Sequence, residues 1–186
     1  AYDQTPSELR AELELLWRRG YSPVYASELA DGRIDLAAGK SPVVLTFDDS
    51  TVFQLELTSA GRPKRGTAVA ILQEFARIHP EFPAKATFFL LREPFGGTTR
   101  SAEHVRWLAR HGFELGNHSH DHTPLATISD TEVQQQLAAG ARVILDAVPG
   151  YRIKTLALPL GSEPRRAELA VRGRSGGLAY GPYAVF

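Results

Sequence analysis

Cysteine and methionine are both missing from this sequence. Without cysteine there is no disulfide, no thiolate-bound metal and no cysteine nucleophile. Without methionine the chain does not begin at an initiator codon, and we expect a removed leader or a trimmed chain. An excess of either charge is also missing: 21 Lys and Arg stand against 21 Asp and Glu. Such a balance offers neither the basic face of a nucleic-acid binder nor a polybasic membrane patch. No apolar run comes near the roughly 20 residues that a membrane-spanning helix needs, and no signal peptide is visible. What is present is 186 residues with 43% apolar content, which suits one domain with a sizeable core.

The stretch Val43-Val44-Leu45-Thr46-Phe47-Asp48-Asp49-Ser50 carries a short β-branched run into two adjacent carboxylates. The run predicts a buried strand. Taken alone, the Asp pair reads as a turn signal. Side chains alternate along a strand, so two adjacent carboxylates at its end can face different ways. One can hold a cation while the other moves a proton.

Around that strand, helices and strands alternate. Thr5-Pro6-Ser7-Glu8 is a helix start with a capping box, and Gly20 stops the helix. Residues 21–35 read as irregular, with one helical turn near Ser27-Glu28-Leu29. The segment from Thr51 to Gly66 mixes apolar and turn residues, and two readings stand for it: part of a rim over the Asp pair, or a plain loop excursion. A helix follows from Thr67 to Ile78, a strand from Ala84 to Leu91, a helix from Ser101 to Arg110 and a strand over Phe113–Gly116. Ser129-Asp130-Thr131-Glu132 opens a long helix that ends at Pro149-Gly150. Lys154–Leu158 is a fourth strand, Glu163–Arg172 a charged helix and Gly177–Tyr180 a fifth strand. Tyr183–Phe186 reads as the start of another strand, and we expect native residues beyond it. The alternation predicts a parallel α/β sheet or barrel forming a single domain over residues 1–186, with helix 5–20 as a lead-in. In such folds functional groups gather at the carboxyl ends of strands. Asp48-Asp49, His118 to His122 and Pro159-Leu160-Gly161 all fall there.

Three histidines and an aspartate lie within Asn117-His118-Ser119-His120-Asp121-His122. His118 and His122 are four residues apart, a spacing that places both imidazoles on one side. Two imidazoles and a carboxylate suit Zn²⁺ or another divalent transition ion. Asp49 is the expected third ligand, with Asp48 as the base for a metal-activated water. His120 is expected to turn away, and His79, His104 and His111 to lie on the surface.

T-F-D-D-S at 46–50, G-N-H-S-H-D-H at 116–122 and A-L-P-L-G at 157–161 resemble, in order and spacing, the first three motifs of the polysaccharide deacetylases. This is the NodB-homology domain of carbohydrate esterase family 4. The likeness runs from about Pro42 to Gly161. It implies a distorted (β/α) barrel with fewer strands than a full TIM barrel, incomplete in this chain. It also implies Asp48 as catalytic base, Asp49, His118 and His122 as the metal triad, and Ser119 as a brace for the histidine loop. Leu160, after Pro159, takes the position whose backbone N–H holds the oxyanion. The implied cofactor is a divalent metal, zinc first, with cobalt or nickel as alternatives.

Three positions depart from the pattern. Ser50 stands for a usual glycine, Leu160 for a frequent tyrosine, and Ala157 for an arginine that pairs with the catalytic Asp in many members. The histidine that protonates the leaving amine has no match before Phe186. The expected activity is N-deacetylation of an N-acetylglucosamine polymer such as peptidoglycan, chitin or exopolysaccharide, outside the cell or at its envelope. The alternative is a catalytically impaired saccharide-binding domain. A metal-dependent amidase on small non-sugar amides is a third reading.

Overall fold

Thr5 starts the first helix in the way the sequence predicts. Its side chain accepts the Glu8 N–H, and the Glu8 carboxylate accepts the Thr5 N–H. Helix α1 spans Pro6–Arg18 and buries Leu9 and Leu13. The computed structural model describes residues 4–97, 100–181 and 183–186. No helix among them is long and apolar enough to cross a membrane.

Two elements lie where the sequence reads as irregular. Strand β1 covers Tyr21–Val24 and helix α2 covers Ala26–Asp31. Pro23 hides the strand from pattern reading, because proline removes a ladder donor. The pairing that makes it a strand is tertiary: β1 runs parallel to β2, Ser41–Val44. The motif strand is also broken. After β2, Leu45 separates off β3, Thr46–Phe47.

Strand β3 opens a parallel sheet. It continues with β4 (Thr87–Leu90), β5 (Glu114–Asn117) and β6 (Thr155–Leu156), and closes with β9 (Ala184–Val185). The strand expected at Tyr183–Phe186 is therefore a member of the main sheet. The connections run through α3 (Ala68–Ile78), α4 (Ser101–Arg110) and α5 (Asp130–Ala147). The result is a curled parallel half-barrel, as expected of an incomplete (β/α) barrel.

Two later elements differ from expectation. The charged helix predicted over Glu163–Arg172 shrinks to α6, Glu168–Val171, since Pro164 biases the residue before it away from helix. The strand predicted at Gly177–Tyr180 is β8, Leu178–Tyr180, which pairs antiparallel with β7, Gly173–Ser175, outside the main sheet. The turn between them is Gly176-Gly177, both at positive φ (53° and 77°), the conformation a tight two-residue hairpin requires.

Alternation along the strands sorts the residues. Phe88, Leu90 and Leu115 face outward into a core shared with Leu13, Leu72 and Leu108. Leu156 faces a second core with Leu137, Leu169 and Tyr180. Phe89 and Ala157 point inward, with Ala26 and Val44 beside them. Gly116 faces the same interior. A Cβ there would lie 2.4 Å from the Phe89 ring and 2.8 Å from Thr155 Oγ1, so the position takes glycine for close packing.

Candidate metal centre

Three chain segments bring the site together, each just past a parallel strand. Asp48, Asp49 and Ser50 follow β3, residues 118–122 follow β5, and residues 157–160 follow β6. Asp49 Oδ1 lies 3.5 Å from His118 Nε2 and 3.3 Å from His122 Nε2. The three candidate donor atoms lie within 4.8 Å of one another. Ligands at zinc distances in a tetrahedron sit about 3.4 Å apart, so the two Asp–His spacings fit one shared ion. The donor set, two imidazoles and a carboxylate, also fits a divalent transition metal.

The orientation of His118 is set by a group that sequence reading does not single out. His118 is buried, and its Nδ1 lies 2.9 Å from the Ala157 carbonyl oxygen. A carbonyl can only accept, so Nδ1 carries the proton and Nε2 presents its lone pair toward Asp49. Ala157 thus contributes its backbone, although its side chain is apolar and buried against the barrel interior.

The histidine loop is braced from both sides. Ser119 Oγ accepts the His122 N–H at 3.2 Å. Asn117 Oδ1 accepts the Ser119 N–H, and Asn117 Nδ2 donates to the Leu137 carbonyl of α5. Gln136, one residue earlier on α5, accepts the N–H groups of His120 and Asp121 and donates to the Asp121 carboxylate. His120 turns to Asp121, with Nδ1 3.1 Å from Oδ1, and stays out of the cluster. Gly140 lets α5 come this close. A Cβ there would meet Asn117 Oδ1 at 2.3 Å and the Ser119 carbonyl oxygen at 2.5 Å.

The backbone around the site is unusual. Six described non-glycine residues have positive φ, and five of them, Asp49, Ser50, Ser119, His122 and Leu160, belong to these three segments. Such conformations persist only where the surroundings enforce them, and they cluster at functional sites. At Ser50 the enforcement is visible. Ser50 is buried, its Oγ accepts the Leu91 N–H, and its carbonyl accepts the Phe95 N–H.

Asp48 is exposed, yet the groups packed around it take part of its hydration. That loss raises its pKa above the ordinary carboxylate value. The positive character of His118 and His122 pulls it down, and the charge of Asp49 pushes it up. Pro159 and Leu160 lie in a short 3₁₀ turn after β6, joined to the centre through Ala157. Pro159 is buried, whereas the Leu160 side chain is 74% exposed.

One expectation is corrected. His104 is a core residue, 4% exposed. Its Nε2 accepts the Leu57 N–H and its Nδ1 sits 2.7 Å from the Arg100 carbonyl oxygen. It pins the 51–66 segment to α4, a tertiary role that a position near a helix start does not reveal.

The sequence matches the family described as polysaccharide deacetylase over residues 35–174. The chain belongs to the polysaccharide deacetylase family. A peptidoglycan-N-acetylglucosamine deacetylase of Bacillus cereus is 33% identical over 122 residues, which cover 66% of this chain and 37% of that protein. The chain therefore spans well under half of that curated relative. Among solved structures, the Streptococcus pyogenes deacetylase PplD in complex with acetate superposes with a TM-score of 0.68 at 18% identity, covering 90% of this chain and 70% of its own. A CE4 family pseudoenzyme from Bacillus anthracis superposes with a TM-score of 0.50 at 22% identity, covering 80% of this chain and 42% of its own. Both likenesses attest the deacetylase fold alone.

Proposed function

We propose that this polysaccharide deacetylase domain removes the acetyl group from N-acetylglucosamine units of a polymer, with Asp49, His118 and His122 as metal ligands and Asp48 as the base. The observation that carries the reading is the shared Asp49 Oδ1, 3.3 and 3.5 Å from two imidazole nitrogens. A divalent cation held there would acidify a water and polarise the acetamide carbonyl. Zinc comes first for this donor set, with cobalt or nickel as alternatives.

The chain's own residues supply the rest. Asp48 stands beside Asp49 and takes the proton from the attacking water. The Leu160 backbone N–H donates to the oxyanion, and its left-handed conformation (φ 56°) aims the amide differently from an extended residue. Ser119 and the Ala157 carbonyl keep the two imidazoles in place. The C–N bond then breaks as the proton held by Asp48 passes to the leaving nitrogen, and the products are acetate and a free sugar amine.

Peptidoglycan is the polymer that the Bacillus cereus relative's name supports, and chitin and exopolysaccharide share the same unit. A polymer of this kind places the activity outside the cell or at its envelope. The test is acetate release from chitooligosaccharides and from N-acetylated peptidoglycan, with and without chelator, followed by readdition of zinc, cobalt or nickel. Release that chelator abolishes and metal restores supports the reading. Chelator-resistant release, or none, sinks it.

Ala157 favours a second reading. Its buried methyl group cannot pair with Asp48 as an arginine would, so a saccharide-binding domain with impaired turnover is the alternative. Oligosaccharide binding without acetate release would select it.

A further inference from the structure

Phe53 is 81% exposed, more than any other large apolar residue described. A single exposed apolar side chain is ordinary on a protein surface, so exposure alone decides nothing. What sets Phe53 apart is how firmly its backbone is held, and where. The turn that carries it closes with the Gln54 N–H on the Thr51 carbonyl. The carbonyls of Phe53 and Gln54 then accept the N–H groups of Ala68 and Val69, each at 3.0 Å. Those are the first two amides of α3, which have no partner within the helix. On its other side, the turn is fastened to the centre by Gln54, whose side-chain amide donates to the Asp48 carbonyl. Leu55 and Leu57 beyond the turn are buried. The ring therefore stands in solvent on a fixed base, tied directly to the backbone of the proposed catalytic residue.

We propose that Phe53 is a stacking platform for a sugar ring next to the one being deacetylated, and so a determinant of preference for oligomers over single sugars. This rests on the saccharide reading above. A pyranose has an apolar C–H face that packs on an aromatic ring, and a ring carried on a backbone already held in place has only its two side-chain torsions left to order on binding. Five residues span at most about 18 Å when extended, and the turn shortens this. Phe53 thus stays within reach of a neighbouring unit of the same polymer while leaving the reacting acetamide to Asp48 and Asp49.

The test compares KM and kcat for acetate release from GlcNAc and from chitooligosaccharides of increasing length. Phe53→Ala is expected to raise KM about two- to tenfold for the longer oligomers, with the loss in KM and not in kcat, and with no such rise for GlcNAc. Phe53→Trp is expected to restore the low KM and Phe53→Leu is not. Ile78→Ala removes an exposed apolar side chain at the far end of α3 and is expected to leave KM as it is. An equal KM for Phe53→Ala and wild type on all lengths overturns the proposal, as does full rescue by leucine or a loss confined to kcat. If the wild-type protein releases no acetate, the deacetylase reading fails by itself. The same oligomer series is then read by equilibrium binding, where Phe53→Ala must weaken the long oligomers or the platform is refuted.

Discussion

Asp48 and Asp49 are chain neighbours with different tasks, and substitution separates them. Asp49 faces both imidazoles, so Asp49→Ala is expected to lose bound metal and activity together. Asp48→Asn is expected to keep its metal while acetate release falls about 10²–10⁴-fold, the usual worth of a positioned acid or base. Metal content after dialysis, measured beside acetate release, distinguishes the two. Loss of metal from both variants would remove Asp48 from its proposed role. These residues were legible in the sequence because charged and imidazole groups sit directly after apolar strand patterns. The Ala157 carbonyl that orients His118 was not, because every residue carries a carbonyl and only the fold decides which one meets a ring nitrogen. His104 misled for a related reason. Its partner, the Leu57 amide, is 47 residues away.

At the scale of elements, α5 is the member that braces the histidine loop, and Gly140 is where it does so most closely. Glycine to alanine inside a helix ordinarily stabilises by about 1 kcal/mol. Here the added methyl would stand 2.3 Å from Asn117 Oδ1 and 2.5 Å from the Ser119 carbonyl oxygen. The sign reverses, because the clash falls on tightly held atoms and overpacking of this kind costs about 1–3 kcal/mol. Gly140→Ala is expected to lower the urea midpoint and weaken metal retention, whereas a purely local helix effect would raise the midpoint and leave the metal untouched. A lone glycine within a helical pattern is a mild hint of close approach, but the sequence does not say what approaches. The start of α5 was fully legible. Ser129 accepts the Glu132 N–H, and the Glu132 carboxylate accepts from both the hydroxyl and the N–H of Ser129. Those bonds hold the Glu132 pKa below its ordinary 4.5, the hydroxyl first and the backbone second. A lowered carboxylate pKa means that the stabilisation is present above the ordinary value and fades as pH falls through the folded-state value. Glu132→Gln is therefore expected to flatten the acid side of the stability curve below about pH 4.5, read as the urea midpoint against pH.

The whole molecule is held at the end opposite the metal centre by one buried carboxylate. Glu114, at the start of β5, is 8% exposed and points into the half-barrel. One oxygen accepts the Ser27 hydroxyl and N–H from α2, and the other accepts the Thr155 hydroxyl from β6. It thereby joins parts of the chain 87 and 41 residues away. An acidic residue in a short strand gives no sign of this in sequence, and α2 itself is read there only as one turn. Glu114→Ala would leave Ser27 and Thr155 with buried polar groups unpaired, at about 1–3 kcal/mol for each orphaned group. Glu114→Gln keeps one acceptor, and its amide can donate to the Thr155 hydroxyl, so a smaller loss is expected. Urea unfolding should rank wild type, Gln and Ala in that order. Hydrogen exchange should show the amides of β1 and α2 losing protection before those of β4 and β5. Equal loss across all strands would mean that Glu114 supports the sheet generally and is not the tie that fastens the N-terminal segment to the barrel.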